Sequence, residues 1–130
     1  MLRQIMKSKI HRARVTVADL DYEGSITIDE NLLDAANIVP HEHVHVWNIT
    51  SGARFETYTL AGERGSGTIQ VNGAAAHHAN PDDLIIITAF AQVSEEHLAE
   101  HKPHVIFVNP EDNSIARVAD KSGHQALAIN

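Results

Sequence analysis

The sequence predicts a mainly β protein, a small closed barrel with a few short helices, and three observations support this fold class. Short runs rich in β-branched residues recur along the chain, bounded by Gly, Asn, Asp or Pro. The helical segments between them are few and very short. With 130 residues, the chain is long enough for one domain that buries a core without disulfides or metal. Many short strands with so little helix favour a closed barrel over a sheet of alternating strands and helices.

Each element follows from local periodicity and from residues that begin or end helices. In chain order, strands are predicted at 2–17, 25–28, 43–49, 54–60, 68–71, 84–91 and, as the last strand, 105–108, with short helices at 30–36, 73–78 and 94–98. The first strand is long and bent, ends near Asp19, and carries Lys9 and His11 on one face. Asp29 and Asn72 are the expected N-caps of the first two helices.

Two strands have distinctive patterns. Segment 84–91 is apolar at almost every position, which predicts a central strand buried on both faces. Segment 43–49 alternates strictly, with histidines on one face and Val44, Val46 and Asn48 on the other.

Charge and composition exclude several classes of protein. The net charge of −7 argues against a nucleic-acid partner, which would need clustered Lys and Arg. The absence of cysteine excludes disulfides, a thiolate nucleophile and cysteine metal sites. The N-terminal segment lacks the apolar core of a signal peptide, and no apolar run has membrane-spanning length, so we expect a cytoplasmic protein without a membrane partner. Basic residues cluster near the start of the chain, where they can bind a small anion: Arg3, Lys7, Lys9, Arg12 and Arg14.

The segment Asp21-Tyr22-Glu23-Gly24-Ser25 is a polar turn between two predicted strands. Taken alone, it predicts a hairpin in which Gly24 supplies a positive φ and Ser25 begins the next strand. The wider set of motifs is Asp19 to Asp29, Val46-Trp47-Asn48-Ile49, Arg54-Phe55-Glu56-Thr57-Tyr58, Gly62 to Gly67 and Asn72-Gly73-Ala74-Ala75-Ala76. In that order and at those separations, from about Met1 to about Asn109, the sequence closely resembles the aspartate 1-decarboxylase family.

The resemblance implies a single domain, residues 1–130, folded as a double-psi β-barrel and assembled as a homotetramer whose active sites are shared between neighbouring subunits. It implies self-cleavage between Gly24 and Ser25 into a β chain, residues 1–24, and an α chain, residues 25–130. The implied reaction converts L-aspartate to β-alanine and carbon dioxide, and so feeds pantothenate and coenzyme A biosynthesis. The implied cofactor is a pyruvoyl group derived from Ser25, and cleavage can be spontaneous or assisted by a maturation factor.

The implied self-cleavage depends on three residues. Ser25 Oγ attacks the Gly24 carbonyl and converts the peptide to an ester. Loss of the Ser25 α-proton expels the ester, and the resulting dehydroalanine hydrolyses to the pyruvoyl group. The tetrahedral intermediate needs a hydrogen-bond donor, and the family pattern gives part of this role to the Thr57 hydroxyl.

The resemblance also assigns residues to the substrate. Tyr58 is the implied proton donor to the α-carbon, while Thr57 points to the opposite face of the same strand. Arg54 is the implied clamp for a substrate carboxylate and Lys9 a second cation, with the choice between the two carboxylates left open. The residues that match the family's substrate-binding turn are Asn72, Gly73, Ala74 and Ala75. Thr57 is a further implied substrate-binding residue. His11 and Trp47 also match in position, with packing favoured over catalysis for Trp47.

The histidines support a rival hypothesis. His41, His43 and His45 alternate along one strand, and His77 and His78 are adjacent. Histidines two apart on one strand face can chelate zinc or nickel. Because no known spacing ties a carboxylate to them, we expect an exposed histidine face and no metal. A second rival is a barrel without enzymatic activity that binds a small anion and leaves Gly24-Ser25 intact.

Two positions depart from the family pattern. His77 stands where many members have Arg, and Asp82-Asp83 stands where many have Gly-Asp. Both lie beyond the substrate-binding turn, so we expect them to change local geometry more than function. The tail from Lys121 onward is expected to be disordered.

Overall fold

A computed structural model describes residues 1–121 of the chain. Its strands are β1 (Leu2–Arg14), β2 (Val17–Asp19), β3 (Ser25–Asp29), β4 (His43–Asn48), β5 (Arg54–Gly62), β6 (Ile69–Asn72), β7 (Leu84–Ser94), β8 (His104–Asn109) and β9 (Ser114–Ala119). One α-helix, α1 (Glu30–Ala36), and two 3-10 helices, Gly73–His78 and Glu95–Glu100, accompany them. The predicted mainly β class is confirmed. The tail predicted to be disordered begins at Lys121, and its residues 122–130 lie outside the described residues.

The strands form one curled sheet in the order β2-β6-β3-β5-β4-β7-β1-β8-β9. β1 lies between β7 and β8, whereas β2, which follows it after two residues, pairs with β6 at the opposite end of this order. A continuous stretch of chain therefore occupies one edge of the sheet and a strand third from the opposite edge, so the sheet must curve back on itself. The result is a barrel, although no ladder of backbone hydrogen bonds joins the edge strands β2 and β9 within residues 1–121.

The side chain of Asn113 joins three segments of the barrel through hydrogen bonds. The Arg14 amide N–H donates to Asn113 Oδ1 at 2.8 Å, and Asn113 Nδ2 donates to Arg14 O at 2.8 Å and to Gly67 O at 2.9 Å. Asn113 is buried and has a φ of 59°, a left-handed conformation that asparagine tolerates better than most residues. One amide thus links the end of β1, the turn before β6 and the turn before β9.

We expect Asn113→Ala to lower the free energy of unfolding by about 2–4 kcal/mol, because it leaves buried backbone groups of Arg14 and Gly67 unpaired. Urea unfolding followed by circular dichroism measures the change. Asn109→Ala in the same turn is the control, since Asn109 is exposed and donates to the Ser114 hydroxyl. It should cost less than about 1 kcal/mol. Equal losses in the two variants would contradict this role for Asn113.

The core fills the barrel, and α1 covers one end of it. The largest fully buried side chains are Ile10, Val15, Ile26, Ile28, Leu32, Leu33, Val44, Val46, Ile69, Ile85, Ile87 and Ile106. The predicted N-cap at Asp29 is confirmed, because its Oδ1 accepts from the Asn31 N–H at 2.9 Å. The same carboxylate accepts from the N–H groups of Gly65 and Gly67 at 3.1 Å and 2.9 Å, and so holds the 62–67 turn against the helix.

Four predicted elements differ in detail. The strand at 105–108 is not the last, since β9 pairs with β8; β9 is mostly exposed at an edge and so has little apolar patterning. The first strand divides after Arg14, and Arg12 has a φ of 68° at a register shift. The segment 73–78 is a 3-10 helix. β7 is central, as predicted, and is buried on both faces at Ile87, Thr88 and Ala89, but Ile86 and Phe90 are only half-buried.

The predicted alternation of β4 is confirmed. Val44, Val46 and Asn48 are buried, whereas His43 is exposed and His45 is half-buried. None of the helices within residues 1–121 has the length and apolar character needed to cross a bilayer.

Candidate active site

Ser25 has an unusual backbone conformation at the start of β3. Its φ is 134°, a value that residues with a Cβ rarely adopt, and its side chain is fully buried. The prediction that Gly24 supplies the positive φ is wrong: Gly24 has none, and the strain falls on Ser25. Ser25 is already paired with Asn72 in the β3–β6 ladder, so the chain must complete its change of direction at the first residue of the strand.

Asn72 binds the Ser25 hydroxyl. Its Nδ2 donates to Ser25 Oγ at 3.0 Å and to Thr27 Oγ1 at 3.2 Å, and its Oδ1 accepts from Gln70 Nε2 at 2.8 Å. Asn72 is the N-cap residue of the following helix, as predicted, but its side chain makes no capping hydrogen bond, because the amide is engaged across the sheet instead. Since Ser25 Oγ accepts this bond, the hydroxyl hydrogen is available for donation to a base.

Gly73 lets the 21–25 turn pack against the start of the 3-10 helix. Its φ is 64°, and a Cβ at this position would lie 2.8 Å from both Gly24 N and Gly24 Cα and 2.9 Å from Tyr22 O. These separations are too short for any side chain. By contrast, a Cβ on Gly24 would meet no atom within 4 Å in the described chain, so the space beside Gly24 is open.

A cleft of about 230 Å³ opens over Gly24. Its lining residues are Gly24, Phe55, Glu56, Thr57, Ala74, Ala75 and His78. The structure thus brings the predicted residues Thr57, Ala74 and Ala75 to the bond that the sequence predicts to be cut. Phe55 and His78, whose rings stack with centroids 5.6 Å apart, were not predicted. Phe55 could have been found, because it lies two residues before Thr57 on the same face of β5.

The other predicted residues of β5 point away from this cleft. Arg54 and Tyr58 are exposed on the opposite strand face from Thr57, as period-two alternation predicts. The Arg54 guanidinium lies 4.8 Å from the centroid of the Trp47 ring, a cation–π contact. The Tyr58 ring lies beside that of His41, with centroids 6.3 Å apart.

Strand register continues this exposed face across β4, β7 and β1. Trp47 pairs with Arg54 on one side and with Ile86 on the other, and Ile86 pairs with His11. Two residues further along β7, on the same face as Ile86, Thr88 pairs with both Lys9 and His45. Directly opposed residues share a sheet face. The predicted residues on this surface, called the outer face below, are Lys9, His11, Trp47, Arg54 and Tyr58.

Burial lowers two pKa values on the outer face. Burial lowers the pKa of Lys9. Burial also lowers the pKa of His11, and the neighbouring positive charges of Lys9 and Arg12 lower it further. The neutral form of the imidazole is therefore favoured. Within residues 1–121 the buried His11 Nδ1 has no hydrogen-bond partner, while the ring packs edge-on against Phe107 with centroids 5.6 Å apart.

Comparison with known proteins identifies the family of this chain. The family model for aspartate decarboxylase matches residues 1–116. The chain belongs to the aspartate decarboxylase family. A protein named aspartate 1-decarboxylase from Legionella pneumophila (strain Lens) is 64% identical over 107 residues, which cover 82% of this chain and 80% of the relative. Proteins of the same name from Myxococcus xanthus and Acidovorax sp. (strain JS42) are 60% and 53% identical over 115 residues, or 88% of this chain and 88% and 91% of the relatives.

Membership of the aspartate decarboxylase family confirms the resemblance and accounts for the curled sheet, since the family fold is a double-psi β-barrel. The two departures from its pattern lie at the surface. His77 is exposed in the 3-10 helix. Asp82 is exposed with a φ of 74°, a conformation that suits the glycine of many members. Asp83 Oδ2 accepts from Asn48 Nδ2 at 2.8 Å and so supports this turn from β4.

Proposed function

We propose that this chain decarboxylates L-aspartate to β-alanine and carbon dioxide, after cutting itself between Gly24 and Ser25. The observation that carries the proposal is the state of Ser25: buried, strained at φ 134°, and held at its hydroxyl by Asn72. The names of the relatives, aspartate 1-decarboxylase, support the substrate. The product supplies pantothenate biosynthesis. A cytoplasmic location and help from a maturation factor remain predictions.

The chain's own residues account for the self-cleavage. Ser25 Oγ forms a bond to the Gly24 carbonyl carbon, and breaking the C–N bond moves the acyl group to oxygen. Asn72 orients this oxygen, and the strain at Ser25 is released as the peptide is lost. Thr57, which shares the cleft with Gly24, donates to the oxygen on which negative charge develops. The Ser25 amine takes up the hydroxyl proton. Loss of the Ser25 α-proton then expels the Gly24 carboxylate, which cuts the chain, and leaves a dehydroalanine at position 25 whose hydrolysis releases ammonia and gives the pyruvoyl carbonyl.

The surroundings of Ser25 fit a pyruvoyl group made from it. The side chain is buried at a strand start, beside an amide donor and a cleft lined by small residues, Ala74 and Ala75. When present, such a group supplies a carbonyl that withdraws electrons from the substrate amine as carbon dioxide leaves. The donor Asn72 remains within reach of position 25.

The two groups of predicted residues suggest that the active site is completed by another subunit. Thr57 lines the Gly24 cleft, and Ser25, next to Gly24, is buried and bonded to Asn72. The cations Lys9 and Arg54 lie on the outer face instead. We propose a homotetramer in which the outer face of one subunit covers the Gly24 cleft of its neighbour. Arg54 and Lys9 then bind the carboxylates of L-aspartate, and Tyr58 returns a proton to the α-carbon.

Denaturing intact mass spectrometry tests the self-cleavage. We expect two pieces, residues 1–24 and 25–130, with the larger carrying a pyruvoyl group in place of its N-terminal serine. Decarboxylation of L-aspartate should appear in the same preparation. A single uncut chain without activity, even after prolonged warming, would overturn the proposal.

Complementation between two inactive variants tests the shared site. Ser25→Ala should be inactive, and Arg54→Ala should lose activity by about 100-fold, since two charge-assisted hydrogen bonds disappear. When the two are co-expressed and co-purified, about a quarter of the sites in a random tetramer should combine an intact Ser25 with an intact Arg54 from its neighbour. Activity should therefore return. Mixed tetramers as inactive as the parents would show that each site lies within one chain.

A further inference from the structure

Two histidines and a glutamate converge on the outer face. His43 and His45 alternate along β4, and Glu56 lies directly opposite His45 on β5. Glu56 Oε1 is 2.8 Å from His43 Nε2 and 3.6 Å from His45 Nε2, and the three ligand atoms all lie within 4.8 Å of one another. The two imidazole rings are 5.1 Å apart. The carboxylate that sequence spacing did not supply is thus provided by the neighbouring strand.

These three groups form a donor set that suits zinc. Two neutral imidazoles and one carboxylate, at metal–ligand distances of about 2.0–2.2 Å, leave a fourth tetrahedral position open. Ligand atoms around such an ion are roughly 3.3 Å apart, close to the 2.8 Å and 3.6 Å that separate Glu56 Oε1 from the two imidazole nitrogens. Two adjacent paired strands hold the backbone, so small side-chain rotations suffice. A cation would replace the proton that now joins His43 to Glu56.

We propose that His43, His45 and Glu56 bind one zinc-class divalent cation per chain, and that this cation inhibits the proposed aspartate decarboxylation. The inhibition rests on the proposed function, because the cluster lies among residues assigned to the substrate. On β5, Glu56 lies between Arg54 and Tyr58, and Tyr58 pairs directly with His43. His45 also lines a cleft of about 390 Å³ together with Arg54 and Trp47.

The position of the cluster sets its expected affinity and effect. Arg54 is a neighbouring positive charge that disfavours a dication, whereas the net charge of −7 favours one. We therefore expect a dissociation constant on the order of 1 µM, weaker than for a structural zinc site. A bound cation would attract the substrate carboxylates away from Arg54.

Isothermal titration of untagged, metal-free protein with zinc chloride tests the binding. We expect one ion per chain, and tetrahedral absorption bands when cobalt(II) is used. His45→Gln and Glu56→Gln should each weaken binding at least about 10-fold, since loss of a direct ligand costs no less than loss of an outer-shell contact. His104→Gln removes an exposed imidazole from β8 and should bind as the parent does. Absence of saturable binding, or binding unchanged in Glu56→Gln, would overturn the site.

The inhibition is measured separately. Zinc should reduce aspartate turnover in proportion to its occupancy, and a chelator should restore it. In His43→Gln the inhibition should require at least about 10-fold more zinc. Full turnover by the zinc-saturated protein would overturn the inhibitory role. Protein that never turns over aspartate would instead contradict the proposed function, and the titration would still decide whether the metal site exists.

Discussion

Replacing Ser25 with alanine is expected to leave an uncut chain with at least about 10⁶-fold less decarboxylase activity. Without Oγ there is no nucleophile for the Gly24 carbonyl and no source of the pyruvoyl group. The fold should survive, because the lost hydrogen bond from Asn72 costs only about 1–2 kcal/mol. Denaturing mass spectrometry and release of carbon dioxide from L-aspartate measure the two losses.

Ser66→Ala is the matched control for this substitution. Ser66 is also a turn serine, and its hydroxyl donates to Glu63 O at 2.6 Å. Its removal should leave cleavage and turnover close to those of the parent chain. Decarboxylase activity in Ser25→Ala would contradict the proposal that the cofactor originates at this residue.

Replacing Gly73 with alanine is expected to slow self-cleavage by about 100-fold. The added Cβ would lie 2.8 Å from Gly24 N and Cα, so the turn that presents the Gly24 carbonyl must move. A displacement of about 1 Å at a reacting group can cost this factor in rate. An L-residue at a φ of 64° adds a strain of about 1–2 kcal/mol. The rate is measured by incubating freshly purified protein and following the uncut mass.

Gly52→Ala separates the displacement from the strain. Gly52 has a φ of 81°, but a Cβ there would meet no described atom within 4 Å. Both variants should carry a similar backbone strain, Gly73→Ala should lose further stability through its contact with the 21–25 turn, and only Gly73→Ala should lose cleavage. If both are cut at the same rate, the contact between Gly73 and Gly24 has no part in the reaction.

The sequence predicted those parts of the fold that depend on neighbouring residues. The Asp29 cap and the alternation of β4 follow from groups a few positions apart, and both are confirmed. β9 and the Asn113 junction depend on contacts across the whole chain, such as the bonds between Asn113 and Arg14. An edge strand that exposes most of its side chains has little periodicity to detect.

The sequence could predict which residues form the candidate site and which strand face each occupies, but not how the strands bring them together. Period-two alternation placed Thr57 and Tyr58 on opposite faces of β5, as the structure has them. That Trp47 and His11 continue the face of Tyr58 follows from strand register, which local patterns do not specify. The φ of Ser25 likewise results from its pairing with Asn72, a residue far along the chain.

Residues 1–24 supply two separate strands of the sheet, and this affects how a chain cut after Gly24 would refold. Residues 1–24 supply β1, which is hydrogen-bonded on both sides, and β2 at the sheet edge, and they contribute Ile10, Ala13 and Val15 to the core. A cut after Gly24 therefore leaves a two-piece molecule that stays assembled until it unfolds. Refolding then requires an encounter between separate peptides, so its rate should rise with protein concentration, whereas the rate-limiting closure in an uncut chain stays intramolecular. The proposed maturation would thus turn refolding from a reaction within one chain into a reaction between two peptides, which dilution slows.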